Sequence, residues 1–209
     1  MAKAGPKPGT GTRAEPTRAR IVQAAIEALK NEGFAGASTR AIARTGRFNQ
    51  ALIFYHFGTL NDLLLAALDE TSDSRMRAYT KAVEGVKTLP DLFQVAAGIY
   101  REDLESGHIK VMAEMIAAAS STPELGPAIT TRIEPWVRFT QEAVDRVVEG
   151  SPLQQFVPAK SLAFAIVSLY LGMELLTHLD GDRSQAEGLF ETGARFSSLL
   201  QGLLGGAQP

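Results

Sequence analysis

The stretch Ser38-Thr39-Arg40-Ala41-Ile42-Ala43-Arg44-Thr45-Gly46-Arg47-Phe48-Asn49-Gln50-Ala51-Leu52-Ile53-Phe54-Tyr55-His56-Phe57 decides the architecture of this chain. Ser38 offers an N-cap, because its hydroxyl can accept a backbone N–H from the first turn of a helix. A short helix over Thr39 to Thr45 follows, with Ile42 and Ala43 inward, and Gly46 stands where it must end. Asn49 is a second good cap. The next short helix spans Gln50 to Phe57, with Ile53 and Phe57 at i, i+4 as its buried pair. Two short helices joined by a turn of about four residues make a helix-turn-helix. A helix of eight residues extends only about 12 Å and is not stable alone. Its neighbours must hold it, and that arrangement exposes the start of the second helix for insertion into a major groove.

Working outward, Ile21, Ala24, Ala25, Ala28 and Leu29 form one face of a helix that starts at Thr17. Gly33 stops it, and Phe34 is expected to pack back on that face. After the break at Gly58-Thr59 a long helix starts near Leu60, with Leu63, Leu64, Ala67 and Leu68 inward, and runs to about Val86. The periodicity predicts further helices over 90–106, 109–120, 125–149, 159–179 and 183–204. Pro90, Pro123, Pro127, Pro152, Pro158 and Gly181 punctuate them. Pro135 should kink or split the third of these. No alternating run argues for a hairpin. The expected fold is all-α with about nine helices: a three-helix DNA-binding domain over 17–60, then a helical bundle over 61–209. Residues 1–16 read as a disordered basic arm.

The 209 residues include no cysteine and three widely spaced histidines. That excludes a disulfide framework, a thiolate nucleophile, a Cys-based zinc site and a local His pair for a metal. The net charge of −2 is a cancellation. Residues 1–57 carry nine basic and three acidic side chains, +6, and the remaining 152 carry 12 basic and 20 acidic, −8. A basic head on an acidic body suits a head that meets a polyanion. The N-terminus lacks the apolar stretch of a signal peptide. The most apolar run, Leu162 to Leu176, is shorter than the roughly 20 residues of a membrane span and reads as a buried core helix. A cytoplasmic location, no membrane and no cofactor are the expectations.

The segment Phe48 to Leu64, with its Phe54-Tyr55-His56-Phe57 ending and leucine-rich continuation, resembles the tetracycline-repressor (TetR) family. The upstream Ser38-Thr39-Arg40-Ala41-Ile42-Ala43 is similar to that family's Thr-Thr-Arg-x-Ile/Leu-Ala. The resemblance covers about residues 17–68. It implies a homodimeric transcription regulator, usually a repressor. The head would bind operator DNA, and the body would bind a small effector and dimerise through its last two helices. Tyr55 and His56 match family positions that bond to phosphates. Phe54 stands where the family often has Tyr, which leaves an apolar contact. Arg47 departs from the family's glycine: either the turn adjusts by one residue or Arg47 takes left-handed φ at a cost. Leu60 departs from a common lysine, so Thr59 or the backbone must supply that phosphate contact.

Beside the resemblance, the positions opposite Ile53 and Phe57 are Gln50, Ala51, Phe54 and Tyr55. Gln50 can pair with adenine N6/N7, and Ala51 can touch a thymine methyl. Ser38, Thr39 and Arg40 open a helix whose N-terminal dipole favours a phosphate, and Arg44 and Arg47 flank the turn. Asn49 begins the recognition helix. Lys3, Lys7, Arg13, Arg18 and Arg20 either add groove or phosphate contacts or form a solubilising tail. In the body, Met112, Met115, Trp136, Phe139, Thr140, Tyr170, Met173, Glu174 and His178 can line a plastic apolar pocket or belong to the core. Glu174 and His178, at i, i+4, either pair, bond a ligand or lie at an exposed helix end. Small residues (Ala163, Gly172, Gly188, Gly193) on broad apolar faces of the last two helices fit a two-fold interface. An all-α enzyme is disfavoured, since no nucleophile signature or phosphate loop is present and the acidic pair Glu102–Asp103 reads as helix surface. A repressor whose body only dimerises is the other alternative.

Overall fold

In the computed structural model, which describes residues 11–149 and 158–205, every regular element is helical. The chain divides after Glu70 into two compact units. The first contains α1 (Gly11–Gly36), α2 (Thr39–Gly46), α3 (Ala51–Phe57) and the beginning of α4 (Leu60–Val83). Its core is the apolar face of α1, with Ile21, Ala25 and Leu29 fully buried, closed by Ile42, Ile53, Leu63, Leu64 and Leu68. Each buried Ile or Leu among them contributes about 1.5–3 kcal/mol by leaving water, which is how the seven-residue α3 persists. Helix α1 begins earlier than expected. Residues 11–16, expected in the arm, are its first turns, because Arg13, Ala14 and Glu15 are good helix formers despite Pro16. Arg18 and Arg20 therefore stand on a folded helix. Lys3 and Lys7 lie outside the described residues. The break comes at Gly33, whose φ of 69° interrupts the helical path.

The turn between α2 and α3 resolves the alternatives at Arg47. It takes left-handed φ 52°, ψ 51°, alone among the described non-glycine residues. Gly46 is needed for a different reason. A Cβ there would lie 2.2 Å from the Phe48 ring and 2.8 Å from Ala24 Cβ. The glycine thus answers crowding between α1 and the turn, and the left-handed step falls on the next residue.

The second unit holds the rest of α4 with α5 (Leu89–Ser106), α6 (His108–Ala119), α7 (Leu125–Val148), α8 (Ala159–Asp180) and α9 (Ser184–Gly205). Helix α5 packs on α9, α7 packs on α8, and α6 touches α5, α7 and α8. Thr88 caps α5, accepting the N–H of Asp91 at 3.3 Å and donating to its carboxylate at 2.7 Å. Helix α7 runs through Pro135 without splitting: the ring removes one hydrogen bond, and the long flanks sustain the helix. Gly193 on α9 is filled from within the chain, since a Cβ there would meet the Phe93 ring at 2.2 Å. Ala163 is likewise buried inside the chain, so two of the four small residues expected at an interface are used internally.

Helix α8 is the main departure from expectation. It has 22 residues, enough by length and composition to cross a membrane, and only 17% of its most apolar window is buried. Phe164, Leu169, Leu176 and Leu179 are exposed, while Ala163, Val167, Glu174 and Thr177 face inward. It is not a buried core helix. Its apolar residues cover the whole circumference, and the fold uses only one stripe of them.

Candidate nucleic-acid interface and body cavity

Ser38 caps α2 as expected, whereas α3 begins one residue later than expected, with Gln50 at its N-cap position and Asn49 just before it. Ser38 Oγ accepts the N–H of Ala41 at 3.2 Å, and Asn49 Oδ1 accepts the N–H of Ala51 at 2.9 Å. With Ile53 completely buried, the opposite side of α3 is exposed: Gln50, Ala51, Phe54 at 50% and Tyr55 at 82%. Large aromatic rings are seldom left so bare unless something covers them. His56 is half-buried, with its ring 5.0 Å from that of Tyr55 and 6.4 Å from that of Phe57. Arg40 and Arg47 are exposed. Arg44 is engaged by Glu32 at 2.9 Å, an exposed pair worth at most about 1 kcal/mol and so easily exchanged for a phosphate. Thr59 is spoken for: its hydroxyl donates to Asp62 at 2.6 Å and accepts the Asp62 N–H at 3.1 Å, capping α4. Arg18 lies over the Phe57 ring at 4.9 Å and Arg20 over the Phe48 ring at 5.8 Å. These two arginines clamp the helix-turn-helix onto α1 by cation–π contact.

The second unit forms a partly open cavity of about 150 Å³. Of the expected residues, Met112, Trp136, Phe139, Thr140, Tyr170 and Glu174 reach its wall. Met115 is fully buried in the core away from it, and Met173 packs on the cluster of Tyr100, Ala186 and Phe190. His178 is exposed near the end of α8, one of the three alternatives for it. Tyr79, Ile99 and His108 line the cavity and were not expected.

The wall is mainly apolar, with His108 and Thr140 among its polar residues, and Tyr79, Tyr170 and Glu174 connect it to a buried polar cluster that joins α4, α5 and α8. Arg75 pairs with Asp103 and reaches Glu102 at 3.5 Å. The Tyr170 hydroxyl donates to Asp103 Oδ2 at 2.9 Å and meets the Tyr79 hydroxyl at 3.3 Å. Asp103 is wholly buried, which corrects its assignment to the helix surface. The signal was present: it continues the stripe of Ala96, Ile99 and Tyr100 along α5. Burial raises the pKa of both Asp103 and Glu174. Arg75 opposes the rise at Asp103, whereas the Asp103 charge adds to it at Glu174, which is pushed up to about 10. The pair therefore holds one proton, and it rests on Glu174. Burial and the same two carboxyl groups also raise the Tyr170 phenol. Among the described residues no cluster of His, Asp or Glu is arranged to hold a metal.

Comparison with known proteins agrees with this geometry. Residues 21–67 match the family model described as bacterial regulatory proteins, tetR family. The transcriptional regulator UidR of Escherichia coli is 19% identical over 193 residues, covering 92% of this chain and 95% of UidR. A TetR-family member from Streptomyces coelicolor superposes with a TM-score of 0.61 at 23% identity, covering 84% of this chain and 96% of that one. The multidrug binding protein EbrR, solved with imidazole, gives 0.60 at 23%, covering 84% and 93%. At these identities the structural likeness establishes the fold.

Proposed function

The chain belongs to the TetR family of transcriptional regulators and binds DNA through its helix-turn-helix, and we propose from that premise that it is a homodimeric, cytoplasmic repressor released from its operator by a small molecule. The observation that carries the DNA side is α3 itself, with Ile53 buried and Gln50, Ala51, Phe54 and Tyr55 bare on the other side. Gln50 and Ala51 read base edges and Phe54 makes apolar contact with sugar or methyl. Tyr55, His56, Arg40, Arg44 and Arg47 meet phosphates, as does the dipole end of α2 at Ser38 and Thr39. Asn49, just ahead of the reading helix, accepts the N–H of its first residue, Ala51.

The effector side is supported by the cavity among Met112, Trp136, Phe139 and Tyr170, and EbrR offers a relative of this fold named for binding drugs. Release follows from linkage: a ligand that prefers one arrangement of the body shifts the protein toward it. Tyr79 and Val83 of α4 line the cavity, and α4 continues back into the DNA-binding unit. That helix is the lever. Dimerisation through α8 and α9 is supported by Phe164, Leu176, Leu179, Phe196 and Leu199, all exposed by more than 60%. Two copies joined there would present two recognition helices to half-sites about 34 Å apart.

Selection of binding sites from random duplex DNA tests the proposal. The expected result is an inverted repeat with half-sites about one helical turn apart, bound by a dimer. Recovery of unrelated sequences without two-fold symmetry overturns it. The alternative of a body without an effector is separated by thermal shift: apolar ligands that enter the cavity raise the melting temperature.

A further inference from the structure

One acid interrupts the apolar wall of the cavity, and one of its oxygens has nothing to bind. Glu174 is 2% exposed and lines the chamber. Its carboxyl group is hydrogen-bonded to Asp103, yet Oε1 is buried without a hydrogen-bond partner. Proton counting fixes the direction of these bonds. Arg75 and the Tyr170 hydroxyl both donate to Asp103, so Asp103 is the carboxylate. A bond between two carboxyl groups needs one proton, and Glu174 supplies it. Its O–H is thereby spent on Asp103, and Oε1, the oxygen without a partner, is left as a carbonyl-type acceptor on a residue that lines the cavity.

Resting on the effector proposal above, we infer that the cavity takes a neutral, mainly apolar ligand carrying one hydroxyl, whose O–H is accepted by Glu174 Oε1. Charge argues against the other ligand classes. Neither lysine nor arginine lines the cavity, so an anion would enter it without a fixed cationic partner. A cation would need Glu174 to give up a proton that burial and Asp103 hold in place. A neutral donor needs no change of charge. The volume of about 150 Å³ compares with cavities that admit benzene, so one substituted ring fits. Tyr79, Trp136 and Phe139 provide aromatic contacts for it.

Calorimetric titration of the full chain at pH 7 with benzyl alcohol, benzyl methyl ether, toluene and benzylammonium tests this. Benzyl alcohol should bind wild type about tenfold tighter than its methyl ether, which keeps the oxygen and loses the donor. In Glu174→Leu the affinity for benzyl alcohol relative to toluene should fall about tenfold. Glu174→Gln should retain the preference, because its amide donates to Asp103 and leaves a carbonyl oxygen free. Toluene binding by the Leu variant shows that its chamber is intact. Equal binding of the alcohol and the ether to wild type overturns the inference while leaving the effector cavity in place. So does a loss in Glu174→Leu that is larger for benzylammonium than for the alcohol. Failure of toluene and all other probes to bind wild type overturns the effector proposal itself.

Discussion

Glu174 is also where the chain gives up stability at neutral pH. A free glutamate loses its proton near 4.5, and the folded chain holds this one to about 10. Between those values the folded state binds a proton that the unfolded chain has released. The group's contribution is therefore fully present below about pH 4.5 and is lost progressively as pH rises toward about 10. Glu174→Gln removes that term. It should raise stability by on the order of 1–3 kcal/mol at pH 7 and flatten the pH dependence, measured by urea unfolding from pH 5 to 9. An unchanged slope would contradict the buried proton. On the DNA face, Gln50→Ala and Tyr55→Ala should both weaken operator binding with fold and dimer intact. The tyrosine change should act evenly across sequences, by about tenfold if one charge-assisted phosphate contact is lost. The glutamine change should alter which base is preferred, read by anisotropy against a set of single-base operator variants. Undiminished affinity in both variants would remove α3 from the recognition role. These exposed positions were legible in the sequence because they follow from one buried residue, Ile53, and the helical period. For Asp103 the same period marks the inward stripe of α5, but its ion partner Arg75 on another helix was not legible.

At the scale of elements, the caps and stops were local and therefore readable. Ser38 and Asn49 each bond a backbone N–H within three residues of themselves. The α2–α3 turn was readable only in part. A glycine was visible there, but what fixes it at 46 is the Phe48 ring and Ala24 Cβ, the latter 22 residues upstream. Gly46→Ala should cost about 1–3 kcal/mol through overpacking. Arg47→Gly should stay within about 1 kcal/mol of wild type, since relief of the left-handed φ and the entropy of glycine oppose each other. Thermal melts of the two variants check the contrast, and equal destabilisation would refute it. Helix α8 shows the limit of periodicity. Apolar residues all round its circumference gave no preferred face, and only packing selected Ala163, Val167, Glu174 and Thr177 as the inner one.

At the scale of the whole molecule, the exposed apolar face of α8 and α9 bears on assembly. Replacing Phe164 and Leu176 together with glutamate should yield monomers by analytical ultracentrifugation and abolish tight operator binding. A dimer that survives both charges would place the interface elsewhere. The basic head and acidic body also belong to this scale: charges of +6 and −8 draw one part of the chain to DNA and keep the other off it. The sequence by itself determined the helices, the helix-turn-helix, the resemblance of its head to the TetR family and the charge division. Each of these depends on neighbours within a few residues or on simple counting. Tertiary structure alone decided which polar groups are buried together, which methionines reach the cavity, and which glycines are crowded. The bond from Tyr170 to Asp103 joins residues 67 apart in sequence. The energy of a buried charge is set by such partners rather than by its own helix, so the acceptor at Glu174 came into view only when α4, α5 and α8 were packed together.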